Sequence, residues 1–170
     1  MKKEHVVIGL TDPKSPSNVG AVMRAAGCYQ ADEVRYTGVR YARAAKFHTD
    51  TKAVSRIIPL NAVETLIGNL LPGQKIVCVD LVEGAIPLPE FTHPDNAVYI
   101  FGPEDGTIAQ EVINSADAVV YVPTIGCMNL AASVNVLLYD RLAKSKHALI
   151  GDELIKRSRD TNNTVKVKQD

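Results

Sequence analysis

Three short segments hold the residue types from which a reaction site could be built. The first, SPSNVGAVMRAA (Ser15 to Ala26), sets Asn18, Gly20 and Arg24 among small and apolar residues. Asn18 is expected to cap a helix over 18–29, because Val19, Val22, Met23 and Ala26 recur at the spacing of one helical face. Backbone N–H groups at such a helix start could receive an anion such as a phosphate. Gly20 would admit another chain closely, and Arg24 is a fixed cation further along the same helix.

The second segment, YIFGPEDG (Tyr99 to Gly106), is a buried strand running into a turn of Gly102, Pro103, Asp105 and Gly106. Glu104 then sits at the carboxyl end of a strand, the edge where ligands of open α/β sheets bind. The third, VPTIGCMNLAASVNVLLYDRLAK (Val122 to Lys144), leaves a strand at Pro123, loops through a glycine, and opens a helix at Asn129. Pro123 cannot donate to a ladder, so the backbone around it leaves pairing. Bare backbone groups in that loop could bond an adenine edge or a carboxylate. Taken singly, each segment reads equally as ordinary structure: a capped helix with one solvated arginine, a turn, and a loop-to-helix junction.

The elements that must position these segments alternate. His5 to Leu10 (HVVIGL) is expected as a buried strand and Glu33 to Thr37 as a short second one. Val63 to Leu71 has helical spacing and ends at Pro72-Gly73. Three apolar strands follow, Ile76 to Val82, Ala97 to Phe101 and Ala118 to Val122, with a short helix at Ile108 to Ser115 and a longer one at Asn129 to Ala143. Strands apolar on both faces, alternating with helices, imply an α/β fold with a mainly parallel sheet and helices on both faces. One domain over residues 1–145 is expected. A polar segment over 146–170 follows, with a helix at Gly151 to Arg159 and a frayed end.

Composition narrows the class. A chain of 170 residues, 46% hydrophobic, can bury a proper core, and its apolar runs are too short to span a bilayer. No signal-peptide pattern precedes the first strand, and Cys28, Cys78 and Cys127 show no metal-ligand spacing. A reduced, cytoplasmic protein without membrane or metal partners is expected. The 19 basic and 19 acidic residues cancel, so any polyanion must be held by local patches. The first turn, DPKSPSNVG, lacks G-x-G-x-x-G, which argues against a Rossmann or flavodoxin-like nucleotide protein.

Together and in order, N-x-G-x(3)-R-A-A, F-G-P-E and P-x-x-G-x-x-N-L resemble the SpoU/TrmH family of SPOUT methyltransferases over roughly Val6 to Ala143. The resemblance implies a C-terminal deep trefoil knot and S-adenosylmethionine as cofactor. It further implies a homodimer and 2′-O-methylation of a ribose in RNA. Carried onto this chain, Gly102, Val122, Cys127 and Leu130 would contact the cofactor, mostly through backbone, with Val79 to Val82 flanking it. Arg24, Asn18 and Glu104 match the catalytic set. A charged arginine is a poor base but stabilises a developing alkoxide, so Arg24 is expected as electrostatic activator, and Glu104 as the residue orienting Arg24 or Asn18.

Many members read Ser-Leu-Asn where this chain has Asn129-Leu130-Ala131. The form Met128-Asn129-Leu130 resembles the compact branch that modifies the tRNA wobble nucleotide, although the loop from Pro123 to Asn129 is short for that branch. Lack of an extra N-terminal RNA-binding domain leans the same way, to tRNA over rRNA. An rRNA enzyme of the family, or a relative that kept RNA binding with weakened catalysis, are the alternatives. Lys14, Arg40, Arg43 and Lys46, together with Lys156, Arg157, Arg159, Lys166 and Lys168 of the tail, are the cations expected to meet RNA.

Overall fold

The computed structural model describes residues 4–46 and 58–170, so residues 1–3 and 47–57 of the expected 1–145 domain lie outside the described residues. Strand β1 (His5–Leu10) falls where HVVIGL predicts it, and helix α1 (Pro16–Cys28) follows. Next come β2 (Glu33–Tyr36), α2 (Arg40–Ala45) and β3 (Leu60–Ala62). The second half runs through β4 (Lys75–Val79), β5 (Ile86–Pro87), a 3-10 turn (Leu88–Glu90) and β6 (Asn96–Phe101). It continues with α3 (Gln110–Ser115), β7 (Ala118–Tyr121), α4 (Leu130–Lys144) and α5 (Asp152–Ser158). After α5 the described chain has no regular structure and is exposed.

The described strands form one sheet in the order β3-β2-β1-β6-β4-β7-β5, and each neighbouring pair is parallel. Chain order reverses between β1 and β6. β1 leads outward to β2 and β3, whereas the later strands fill the other side. Such a switch point opens a crevice at the carboxyl ends of the strands.

Alternation along the strands splits the core into two layers. Val6, Ile8 and Leu10 face α1 and α4, packing with Val22, Met23, Val134 and Leu137. Val7, Cys78, Val98 and Ile100 face the other way, toward Leu66 and Ile108. Every residue of β6 from Ala97 to Phe101 is at most 1% exposed, the double burial that central parallel strands require. Burial also pushes the Cys78 thiol up to about 11, so it is a packing residue rather than a nucleophile.

One expected helix is absent. Val63 to Leu71 carries a 3.6-residue apolar period, yet it runs as irregular chain with bends. Gly68 and Asn69 break the run, Asn69 adopting a left-handed φ of 53°, and the Thr65 hydroxyl accepts from the Ile67 N–H. Leu66 instead drops onto the sheet above Gly9, where an added Cβ would lie 3.3 Å from its Cδ2. The periodicity therefore reflects one buried anchor, Leu66, flanked by half-buried Val63 and Ile67.

The carboxyl-terminal end of α4 is tied to the 88–95 segment by a partly buried polar network. Arg141 donates to the carbonyls of Pro94 (2.6 Å) and Asp95 (3.0 Å) and to the Tyr99 hydroxyl (2.9 Å). Lys144 donates to the carbonyls of Leu88 (2.6 Å) and Phe91 (2.8 Å). Both cations sit in the last turn, where the helix dipole favours them. His93 bridges Tyr99 and Asp140 at 2.7 Å each, with its side chain only 5% exposed.

Burial lowers the His93 pKa, with Asp140 opposing and Arg141 and Lys144 assisting. The unfolded imidazole, at about 6.5, binds its proton first as pH falls. Stability from this group is therefore full above about pH 6.5 and is lost as pH drops toward the folded value. Urea midpoints measured from pH 8 to pH 5 should fall on the acid side for the wild type. His93→Gln should flatten that part of the profile; an unchanged slope would remove His93 as its source.

Candidate functional site

The carboxyl edge of the sheet is where the three chemistry-bearing segments meet. α1 begins two residues earlier than the apolar period suggests. Ser15 is the N-cap, its hydroxyl accepting the Asn18 N–H at 3.3 Å, and Pro16 occupies the first helical position, where a missing N–H is harmless. Asn18, expected as the cap, lies instead within the first turn. That frees its side chain to accept from Asn129 Nδ2 at 3.1 Å. Asn129 caps α4 as expected, its Oδ1 accepting from Ala131 (2.8 Å) and Ala132 (3.4 Å). One asparagine pair thus joins the starts of the two helices that cover one face of the sheet.

Glu104 supplies the second tie. Its carboxylate accepts the backbone N–H of Lys14 at 3.0 Å to both oxygens and that of Ser15 at 2.8 Å. Sequence reasoning expected it to orient Arg24 or Asn18, but its partner is the β1–α1 loop itself. The chain's own carboxylate thus already sits on the two amides just before this helix start.

Between these loops lies an open cleft of about 270 Å³. Gly102, Val122, Cys127 and Leu130, the four residues expected to contact a cofactor, all line it, as do Asn18 and Glu104. Val79, Asp80 and Leu81 of the expected Val79 to Val82 segment border it from the end of β4, and Val82 does not line it. Asp80 lies in that segment but has no role of its own in the sequence reading. Its Oδ1 accepts from Leu81 (2.8 Å) and its Oδ2 from Ile108 (3.2 Å), which fixes the turn leaving β4. The signal available was its place after IVCV at a strand's carboxyl end. A Cβ on Gly102 would come 3.4 Å from that carboxylate and from the Ile108 nitrogen, so the two loops pack closely about this glycine. The lining mixes apolar rims (Val79, Leu81, Val122, Leu130) with polar groups and a bare loop, which suits a flat heterocycle bearing a polar chain.

Arg24 stands apart. It is exposed on α1 and does not line the cleft. Gly20, one turn earlier, has nothing within 4 Å of where a Cβ would sit. Arg40 is also not a loose surface cation, because it is held between Asp12 and Asp105. Lys14, Arg43 and Lys46 are exposed. Among the described residues no group of three or more His, Cys, Asp or Glu could hold a metal ion, and no helix is long and apolar enough to cross a membrane.

A model of the SpoU rRNA methylase family matches residues 5–139. No curated protein sequence matches the chain. Among solved structures, the chain is similar to an AdoMet-bound rRNA methyltransferase from Sinorhizobium meliloti at 18% identity and TM-score 0.69, covering 84% of this chain and 57% of that one. A TrmH/SpoU tRNA modifying enzyme from A. aeolicus shares 18% identity at TM-score 0.69, over 82% of this chain and 74% of that one. A structure described for 2-OH methylation of C/U34 on tRNA gives 18% identity and TM-score 0.70, over 85% and 92%. The chain spans less than two thirds of the length of the rRNA relative.

Asn129 does two jobs with one side chain, capping α4 and holding Asn18. Asn129→Ala should cost about 1–2 kcal/mol of unfolding free energy, the upper part of the range for a lost cap. Urea unfolding measures it. Asn18→Ala, which keeps the cap, should cost less; equal losses would mean the pair, not the cap, dominates.

Proposed function

The chain belongs to the SpoU rRNA methylase family, and from that membership we propose that it transfers a methyl group from S-adenosylmethionine to a ribose 2′-hydroxyl of RNA. The observation that carries this is the cleft at the carboxyl edge, lined by residues of all three motifs. Relatives described as AdoMet-bound and as acting on tRNA and rRNA support it. The favoured substrate is tRNA. The Met128-Asn129-Leu130 form supports that choice, as does similarity over 92% of the length of the C/U34 relative.

When bound, the cofactor supplies an electrophilic methyl carbon on a cationic sulfonium. The residues of this chain then have to hold that carbon in line with the attacking oxygen and keep both still. Val79, Leu81, Val122 and Leu130 would enclose the base between apolar surfaces, while Gly102 and the loop through Cys127 offer backbone groups to its polar edges. Asn18 and Glu104 hold the rim of the cleft by the contacts already described. Arg24 is assigned to the developing alkoxide, which a guanidinium stabilises without taking its proton; the hydroxyl proton passes to solvent water as the oxygen–methyl bond forms and the carbon–sulfur bond breaks.

Because Arg24 is exposed and does not line its own cleft, this assignment calls for a homodimer in which Arg24 of one copy reaches the cleft of the other. α1 and α4 lie side by side over the sheet, with Ala21, Arg24, Ala132, Asn135 and Val136 exposed. Leu137 and Leu138 of α4 belong to this chain's own core. Tyr139 (60% exposed), Leu142 (39%) and Val136 (37%) are the apolar residues left outside. The knotted threading of the family, the 1–145 domain and a cytoplasmic location belong to the same proposal.

Methyl incorporation into separated tRNA and rRNA tests the activity. S-adenosylmethionine binding without transfer to any RNA would favour the binding-protein alternative. Arg24→Ala should keep cofactor affinity by calorimetry while losing about 100- to 1,000-fold in rate; near-normal turnover would reject its role. Tyr139→Glu should shift sedimentation at micromolar concentration from dimer to monomer and abolish transfer. A monomer that methylates at full rate would defeat the shared site.

A further inference from the structure

Arg40 is the first residue of the six-residue helix α2. A cation there opposes the helix dipole, so its position does not serve α2. Its guanidinium reaches outward to two other loops instead. NH1 donates to Asp105 Oδ2 at 2.7 Å and NH2 to Asp105 Oδ1 at 3.0 Å, the parallel two-bond geometry in which Arg–carboxylate pairs are strongest. NH2 also donates to the Asp12 carbonyl at 2.6 Å, and Nε lies 3.0 Å from Asp12 Oδ2.

Asp12 is itself held in an unusual way. Its φ of 38° is left-handed, its N–H donates to the Thr37 hydroxyl at 3.1 Å, and its carboxylate lies against Gly38 where a Cβ would collide with it. A strained aspartate, a glycine that no side chain could replace and a doubly engaged arginine thus meet at one point. Asp105 and Glu104 are adjacent. Through Arg40, Asp105 fixes the beginning of the β1–α1 loop at Asp12, while Glu104 fixes its end at Lys14 and Ser15.

Resting on the methyltransferase reading, we propose that Arg40 is a positioning residue: with Asp12 and Asp105 it sets the β1–α1 loop, and hence Asn18, against the rim of the cleft before substrate arrives. Arg40 touches neither cofactor nor RNA in this role. Its removal would leave two carboxylates facing each other across the loops, so the loops would separate as well as lose a tie. The Arg40 bonds hold the Asp105 carboxyl below its usual range, and those with Asp105 and Asp12 raise the Arg40 pKa further, so the junction stays ionised at working pH.

Arg40→Gln should lower kcat for methylation of RNA by roughly 10- to 100-fold, the cost of misplacing reacting groups by about an ångström. The KM for S-adenosylmethionine should change far less. The charge-swapped double variant, Arg40→Asp with Asp105→Arg, retains the same set of charges and should recover kcat to within a few fold. Amide hydrogen exchange supplies a readout independent of activity. In Arg40→Gln, the Lys14 and Ser15 amides should exchange faster while β1 and β6 amides keep their protection. Unchanged kcat with unchanged exchange would overturn the proposal. So would a loss of kcat that tracks lost protection across the whole sheet and is not recovered by the swap. A wild-type chain that methylates no RNA would sink the proposed function, and exchange at Lys14 and Ser15 would then decide the junction alone.

Discussion

Every strand pairing described is parallel, and that constraint shapes the rest of the molecule. Parallel strands all deliver the chain to one edge, where the ladder ends and loops from distant parts of the sequence emerge together. Backbone pairing cannot hold those loops against one another, because it stops at the strand ends. Side chains must do it. Glu104 binds the amides before α1, Asn18 meets Asn129, and Arg40 joins Asp12 to Asp105. Three polar ties turn a set of loops into a walled cleft, and each spans more than 25 residues of chain. None is local, so each depends on the sheet to bring its partners together.

What the sequence could tell follows the range of the forces involved. β1, β6 and α4 were legible because burial on both faces, or a capped 3.6-residue period, leaves a mark within one segment. α2, β3 and β5 were missed: with six, three and two residues they are too short to carry a period. The false helix at Val63 to Leu71 has the opposite origin, an apolar spacing that Gly68 and Asn69 override. At the site, Asn18, Glu104, Gly102, Val122, Cys127 and Leu130 all occur at the cleft while Gly20 and Arg24 do not, yet their partners were unpredictable. Pro16 in the first helical position did mark Ser15 as the cap, a signal stronger than the apolar period that pointed to Asn18. That Glu104 binds backbone 90 residues away is invisible to any local pattern.

The cancelled net charge also has a structural reason. Several cations are spent inside the fold, so their number says little about the surface. Arg141 and Lys144 hold backbone carbonyls, Arg35 pairs with Glu33 at 2.9 Å, and Arg40 closes the loop junction. Long cationic side chains look solvent-facing in a sequence, and only the folded chain reveals which ones are engaged. Among the described residues of the first half of the sheet, Lys14, Arg24, Arg43 and Lys46 are exposed cations. A small local excess is enough to orient a polyanion when its opposing carboxylates are already bound to backbone or arginine.

The same accounting bears on the outer face of α1 and α4. α4 is fixed at both ends, by Asn129 at its start and by Arg141 and Lys144 at its finish, and Val134, Leu137 and Leu138 seat it on the sheet between. α1 is joined to it through Asn18. The outward residues of such a layer have little backbone freedom left to lose. Docking a second copy there would cost mainly rigid-body entropy and a few side-chain rotamers. Small residues at Gly20, Ala21 and Ala132 would let backbones approach closely, and Tyr139 offers a large contact area for only two rotatable bonds. Arg24 is exposed on this layer and does not line the cleft, so the proposed dimer would use one face for both close approach and delivery of that cation. The polar ties that hold the cleft open within one chain also hold the helices that would carry Arg24 into another.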